Sequence, residues 1–533
     1  MLPAKADSLR IALNRVTFGA RDTDVALAQA SGWTAWLEDQ LAPPAGDDSS
    51  VTSHLNTQIM HIEYAASNPA QTNGTWAAVN EDRGLNYLNA ATPILWNVAS
   101  KAGVTVAFNE RTRIRQELAA ATWIRNTHSR YQLREFMVDF WHNHFNIGKN
   151  ENELATALLP VYDRTAIRPF AFGNFRAMLE ANATSSSMML YLDNWVSNAT
   201  TPNENYAREI MELHTLGGTS YLGTVDPTTV PLGYNGVAVG FTDGDIVQAS
   251  RALSGWTVQA GQRFGGVTLP STGEFTFNPP QHNTQAKTLL GLNIATAVND
   301  MNQGRMLLNM LAYHPATASF VVGKLARRIF GDTPPQAVID RGVKAWLANQ
   351  VAPDQIARVL RAMLLDGSEV STAPVDKVRR PYERILALFR TTDIIVNASP
   401  SMTTLLDALN DGLFAWQAPN GRPDTNAYWL ATGATVATWN QLFQLLSNTA
   451  IVTALSAQTP QTARGSATGV VEYWVGRMVG ASLSSTAMNA LVADQATSSG
   501  VTAAFMGNNS TTIENAHRRL VSLIATTEEF TLR

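Results

Sequence analysis

The sequence predicts a mainly α fold, a multi-helix globular protein with a small β hairpin or sheet inserted near residues 257–290. Three observations predict it. Apolar residues recur three and four positions apart through most of the chain, the period of a helix face. Capping residues precede these runs, and Gly or Pro follows them. Only the stretch containing R-F-G-G-V-T-L and E-F-T-F-N-P-P departs from that pattern, with glycines and prolines around short β-prone runs.

Taken in order, Asp7 opens S-L-R-I-A-L-N-R-V, which Gly19 ends. Asp22 or Thr23 caps V-A-L-A-Q-A, and W-T-A-W-L-E-D-Q-L runs from Gly32 until Pro43 and Pro44 stop it. Residues 110–126 and 131–145 form two longer helices, with Gly148 beyond the second. Asn174 starts F-R-A-M-L-E-A-N, a helix that continues to Leu192, and the next opens after Pro202 and closes at Gly217. Thr242 with Asp245 forms a capping box ahead of I-V-Q-A-S-R-A-L-S-G-W. Helical patterns resume at Asn299, with breaks at 331–335 and 396–400. A main helical domain over 1–395, carrying the β insertion, and a C-terminal helical region over 396–533 packed on it are therefore expected.

Composition removes several function classes. Charged residues are 15% of the chain and the net charge is −4, with no basic cluster longer than the pairs Arg327/Arg328 and Arg379/Arg380, so nucleic acid is not an expected partner. Without cysteine, disulfides, thiolate nucleophiles, Cys-ligated zinc and iron–sulfur clusters are excluded. No apolar run approaches the roughly 18 residues of a membrane span. The start M-L-P-A-K-A-D lacks a basic segment followed by an apolar one, so the chain is either cytoplasmic or stripped of an export signal. Neither a G-x-S-x-G elbow nor a phosphate-cradling glycine loop occurs.

The chemistry-bearing stretch is P-N-E-N-Y-A-R-E-I-M-E-L-H, residues 202–214. At about 100° per residue, Asn205, Arg208, Glu209 and Glu212 share one side of a helix, beside an apolar stripe of Tyr206, Ile210 and Leu213. Two carboxylates a turn apart are material for acid/base work or a hard-cation site. A solvated face with a Glu204–Arg208 pair explains the same pattern. His214 points away from Glu209 on a regular helix, and the run is not H-E-x-x-H.

Earlier, W-H-N-H-F places His142 and His144 two residues apart, on opposite sides of a helix, so they do not chelate one ion there. Either alone is a candidate metal ligand beside a carboxylate, with zinc, copper or iron open to imidazole, and a buried, carbonyl-bonded ring is the bland alternative. Asp193, at a helix end where the dipole disfavours an anion, is a further candidate carboxylate, with an Asx turn as its plain explanation. His282, in a loop after two prolines, and Trp141 are candidate substrate-binding residues. His314 before Pro315 is a helix-entry residue.

Taken together, the chain resembles a large bacterial family known as domain of unknown function 1800. The resemblance rests on L-N-R-V-T-F-G, F-W-H-N-H-F, G-N-F-R-A-M-L, Y-L-D-N, N-E-N-Y-A-R-E-I-M-E-L-H-T-L-G, A-R-A-L-S-G-W-T, K-T-L-L-G, H-P-A-T-A and K-V-R-R-P-Y-E, in that order from Leu13 to Glu383. It implies a mostly helical, commonly exported protein, which favours a secreted or periplasmic location with the signal removed. The family's usual His-Asp stands here as His282-Asn283. The leading expectation is an exported hydrolase acting on a polymer such as a polysaccharide. Glu209, Glu212 and Asp193 would be its carboxylates, and Arg208 and Asn205 would orient them. A metal-dependent hydrolase or oxidoreductase using His142 or His144, with a divalent or transition metal, is the second expectation. A non-catalytic envelope or binding protein is the third.

Overall fold

The computed structural model describes residues 2–68, 74–101, 103–148, 153–233, 236–264, 266–296, 300–448, 454–498 and 510–533. Helices make up most of it, and its strands form four two-stranded antiparallel sheets among the described residues. The predicted fold class is thus the observed one.

At the centre lies the helix Pro381–Thr391, every residue of which is buried. Helix Phe108–His128 crosses it, with Trp123 edge-on to Tyr382 at 4.6 Å between ring centroids. The first helix, Ser8–Val16, is capped by Asp7, whose carboxylate accepts from Arg10 N at 2.6 Å. Its exit turn at Gly19 (φ +121°) passes so close to Ala387 that a Cβ there would stand 2.9 Å from the Ala387 Cα, which is why glycine occupies the position.

Local sequence signals account for most boundaries. Asn174 accepts from Ala177 N at 3.1 Å and starts Phe175–Ala183. Thr242 and Asp245 form the expected capping box of Asp243–Leu253. His314 enters Pro315–Phe330 with Nδ1 accepting from Ala316 N at 3.0 Å. The helix after Asn174 does not reach Leu192 unbroken: it stops at Ala183 and restarts as Ser186–Tyr191, after the Thr184 side chain bonds back to Glu180 O. Glu204–Glu212 likewise ends five residues before Gly217.

The β insertion is a pairing of Trp256–Ala260 with Ser271–Phe277, a short Arg263–Phe264/Val267–Thr268 turn, and the hairpin Lys287–Leu289/Leu292–Ile294. A further pair, Met60–Tyr64 with Val79–Arg83, was not expected from the sequence, because its second strand, V-N-E-D-R, has no apolar alternation. The predicted helical resumption at Asn299 lies outside the described residues; the helix is described as Asn302–Tyr313.

Helices Thr432–Ser447 and Ala467–Met478 pack beside Pro381–Thr391. The last residues then return to the first: Leu532 bridges Val378, and the Arg533 guanidinium donates to Arg15 O at 2.8 Å and Arg328 O at 2.9 Å. Beneath this crossing lies a buried ion network. Asp139 bonds Arg380 at 2.5 Å and Arg328 at 2.9 Å, Glu383 bonds Arg328 at 2.5 Å, and Asp411 bonds Arg380 at 3.0 Å and Arg422 at 3.1 Å.

Candidate functional site

The Glu204–Glu212 helix is amphipathic as its spacing predicts. Tyr206, Ala207, Ile210 and Met211 are buried, while Arg208, Glu209 and Glu212 are half-buried on the other side. Asn203 caps it, its carbonyl oxygen accepting from Asn205 N at 2.8 Å, and the Asn203 amide donates to Asp193 O at 2.7 Å. Asp193 itself sits in the left-handed region (φ +60°), ending the Ser186–Tyr191 segment. That bend carries the Asp193 side chain to the surface, near the first turn of the glutamate helix.

Among the described residues, the Glu209 and Glu212 side chains make neither a hydrogen bond nor an ion pair. Being three residues apart on a helix, their Cβ atoms are about 5–6 Å from one another. Burial, and then the neighbouring Glu212, push the Glu209 carboxyl above its ordinary value, with Arg208 opposing. Burial also raises Asp193, against a hydrogen bond from the Trp195 side chain. Tyr191 lies near enough to feel Glu209: burial pushes its phenol up to about 12, the Gly148 backbone opposes, and Glu209 adds to the rise. The Tyr191 hydroxyl donates to Gln417 O, next to a cleft whose wall includes Trp416 and Tyr428.

Arg208 and Asn205 do not orient the glutamates. Arg208 pairs with Asp243 at 3.2 Å and lies over the Tyr221 ring, rather than with Glu204, because the capped start of Asp243–Leu253 brings a second anion against it. The Asn205 amide reaches back to Leu192 O at 3.4 Å, tying the Asp193 bend to the helix. These bonds hold the scaffold under the carboxylates.

The remaining candidates are held elsewhere. Trp141 is fully buried with Nε1 donating to Ala171 O at 3.1 Å, so its ring cannot meet a substrate. His282 is buried, with Nδ1 on Ser254 O at 2.8 Å and Nε2 beside Gln303 at 3.2 Å, which makes it a brace for the β insertion and not a substrate-binding side chain. The helix Gln132–His144 stays regular through both histidines, and they diverge as its geometry requires. His142 Nε2 donates to buried Asp163 at 2.9 Å. His144 Nε2 donates to His214 O at 3.0 Å, and its Nδ1 accepts from Lys324 Nζ at 3.1 Å. Both His144 nitrogens are therefore occupied, and no three His, Asp or Glu side chains group as a metal site among the described residues. The metal expectation for His142 and His144 has no ligand set behind it.

Chain reversal beyond Glu212 explains His214. Its amide bonds to Glu209 O at 3.1 Å and that of Leu216 to Met211 O at 2.8 Å, five residues back, and the ring turns into the core 6.3 Å from His144. Burial and Lys324 lower its pKa to about 3. The residue that sequence reasoning passed over is Lys324, half-buried in S-F-V-V-G-K-L-A-R-R. Its signal was there: a single charged residue within F-V-V-G-K-L-A, a stretch otherwise without polar side chains.

The family model described as protein of unknown function (DUF1800) matches residues 11–532. No curated protein and no solved structure matches the chain.

Proposed function

We propose that this chain, which belongs to the family of proteins of unknown function DUF1800, is an exported hydrolase that acts on a polymer, with Glu209 as general acid and Glu212 as the second carboxyl of the pair. The observation that carries the reading is the Glu209/Glu212 pair. Two half-buried carboxylates stand a helical turn apart without a cation partner among the described residues, and one of them is biased toward its protonated form. A stability-driven helix face would pair such groups with cations, and a carboxyl whose surroundings favour its protonated form is how hydrolases obtain a general acid.

The surroundings favour an extended substrate. Asp193 is exposed and Glu209 and Glu212 are half-buried, so the acids reach solvent along one side of their helix, as the passage of a long chain requires. Half-exposed Trp195, bonded to Asp193, offers an aromatic face beside the acids, as sugar stacking requires. Export accords with the low charge of the chain and with what the family resemblance implies; among the described residues no helix is long and apolar enough to cross a membrane.

In the proposed step, Glu209 donates its proton to the leaving oxygen of the scissile bond while Glu212 accepts a proton from water or attacks directly. Carboxyl separation decides which, at roughly 5 Å for attack and 6.5–9.5 Å for an intervening water. The test is reducing-end release from a panel of bacterial and plant polysaccharides. Glu209→Gln should cut the rate by about 10²–10⁴-fold, with the melting temperature kept. Full activity in both Glu209→Gln and Glu212→Gln sinks the assignment, and so does a wild-type protein that cleaves none of the panel.

A further inference from the structure

A second site lies on the other side of His144 from the core, independent of the glutamate helix. A cavity of about 270 Å³ opens between Gln132–His144, Pro315–Phe330 and the segment 420–424, and its lining is rich in cations. Most of that charge is already matched. Asp139 holds Arg328 and Arg380, Asp411 holds Arg422, and Lys377 takes Asp424 at 2.6 Å. Two cations are left over, Lys324 and Arg327.

Lys324 has one ammonium proton committed, to His144 Nδ1 at 3.1 Å. His144 is fixed for this by donating its other nitrogen's proton to His214 O, so it is neutral and can only accept from Lys324. The ammonium also lies over the Phe320 ring at 5.4 Å, and it makes no further hydrogen bond among the described residues. Arg327, three residues on and exposed, makes no hydrogen bond or ion pair among the described residues. Positions three apart on a helix face the same way, so a guanidinium fork and an ammonium group border one small space, in which the nearby Asp424 carboxylate is already bonded to Lys377.

We infer that this cavity binds an oxyanion, the carboxylate or phosphate group of a ligand, held between Lys324 and Arg327. Its volume, near the lower end for ligand pockets, suits a charged head group or a small acid. Such an anion would relieve the repulsion between the two cations; burial and Arg327 already press the Lys324 ammonium down to about 8, against the pull of Asp424. His144 acts as a positioning residue, aiming Lys324 without touching the ligand.

Titration calorimetry of the full chain with inorganic phosphate and, separately, with acetate tests this. One site per chain is expected, with the tighter ion identifying the group. Lys324→Met and Arg327→Gln should each weaken it at least tenfold, while Lys324→Arg retains it. Because Arg327 is exposed, its variant keeps the fold even where Lys324→Met does not. Absence of binding by either ion, or equal affinity in wild type and Arg327→Gln, overturns the inference.

Discussion

At the scale of single residues, Glu209 sets two expectations. A carboxyl raised by burial and by Glu212 is protonated in the active enzyme, so the rate should fall as pH rises through its elevated pKa. That limb should vanish in Glu209→Gln, as measured in a pH–rate profile. The same substitution should leave the protein slightly more stable, by about 0.2–0.5 kcal/mol in denaturant titration at a pH above that raised pKa, where Glu209 is ionised, because it removes a like-charge neighbour on one helix face. A loss of stability instead would mean that Glu209 serves the fold. What sequence could resolve at this scale was direction, and what it could not resolve was partnership. Helical spacing alone set Glu209 beside Glu212 and turned His142 from His144. It did not tell that Arg208 would choose Asp243, that Trp141 would be sealed in the core, or that Lys324 would meet His144 across 180 residues. Those pairings depend on tertiary packing, which local periodicity does not encode.

Among the elements, those with a side-chain cap or a Pro/Gly stop were legible, and those that change state mid-run were not. Asp7, Asn174 and Thr242 each declare a helix start by a short polar side chain facing free amides. The break at Thr184 and Ser185 and the early end at Glu212 lack such markers, since both come from backbone and side-chain bonds that compete with the helix. Asp245 shows how far one cap reaches. Its Oδ2 accepts from Thr242 N at 2.9 Å and Thr242 Oγ1 at 2.8 Å, while its Oδ1 accepts from Leu290 N at 2.7 Å, joining the helix to the turn of the 287–294 hairpin. Asp245→Asn places an amide donor against backbone donors in a buried site. The expected cost is about 1–3 kcal/mol, read as a lower urea midpoint with an unchanged slope. An unchanged midpoint would show the cap to be dispensable.

For the whole molecule, two buried histidines and the half-buried His128 link stability to pH. His128, His144 and His214 are all pressed below the ordinary imidazole value, His128 and His214 to about 3, mainly by burial and with nearby cations adding to it. They stay neutral in the folded chain while the unfolded chain protonates them below about pH 6.5. Their contribution is complete above that pH and is lost as pH falls toward the folded values. Each such ring removes about 1.4 kcal/mol per pH unit across that window, so the three together remove about 4 kcal/mol per unit. Asp163 acts later. Burial alone would raise it, but Arg168, His142 and Arg125 hold it near about 2, so its share is lost only below about pH 3.8. Against a typical stability of about 5–15 kcal/mol, cooperative unfolding is expected between about pH 3 and 5, followed by far-ultraviolet circular dichroism. His128→Gln keeps an acceptor for Val396 N, which His128 Nε2 serves at 3.0 Å, yet takes one titrating ring away. It should therefore lessen the slope of stability against pH by about 1.4 kcal/mol per unit between pH 4 and 6 without lowering stability at pH 8. A slope equal to that of the wild type would mean that His128 takes up its proton in the folded chain.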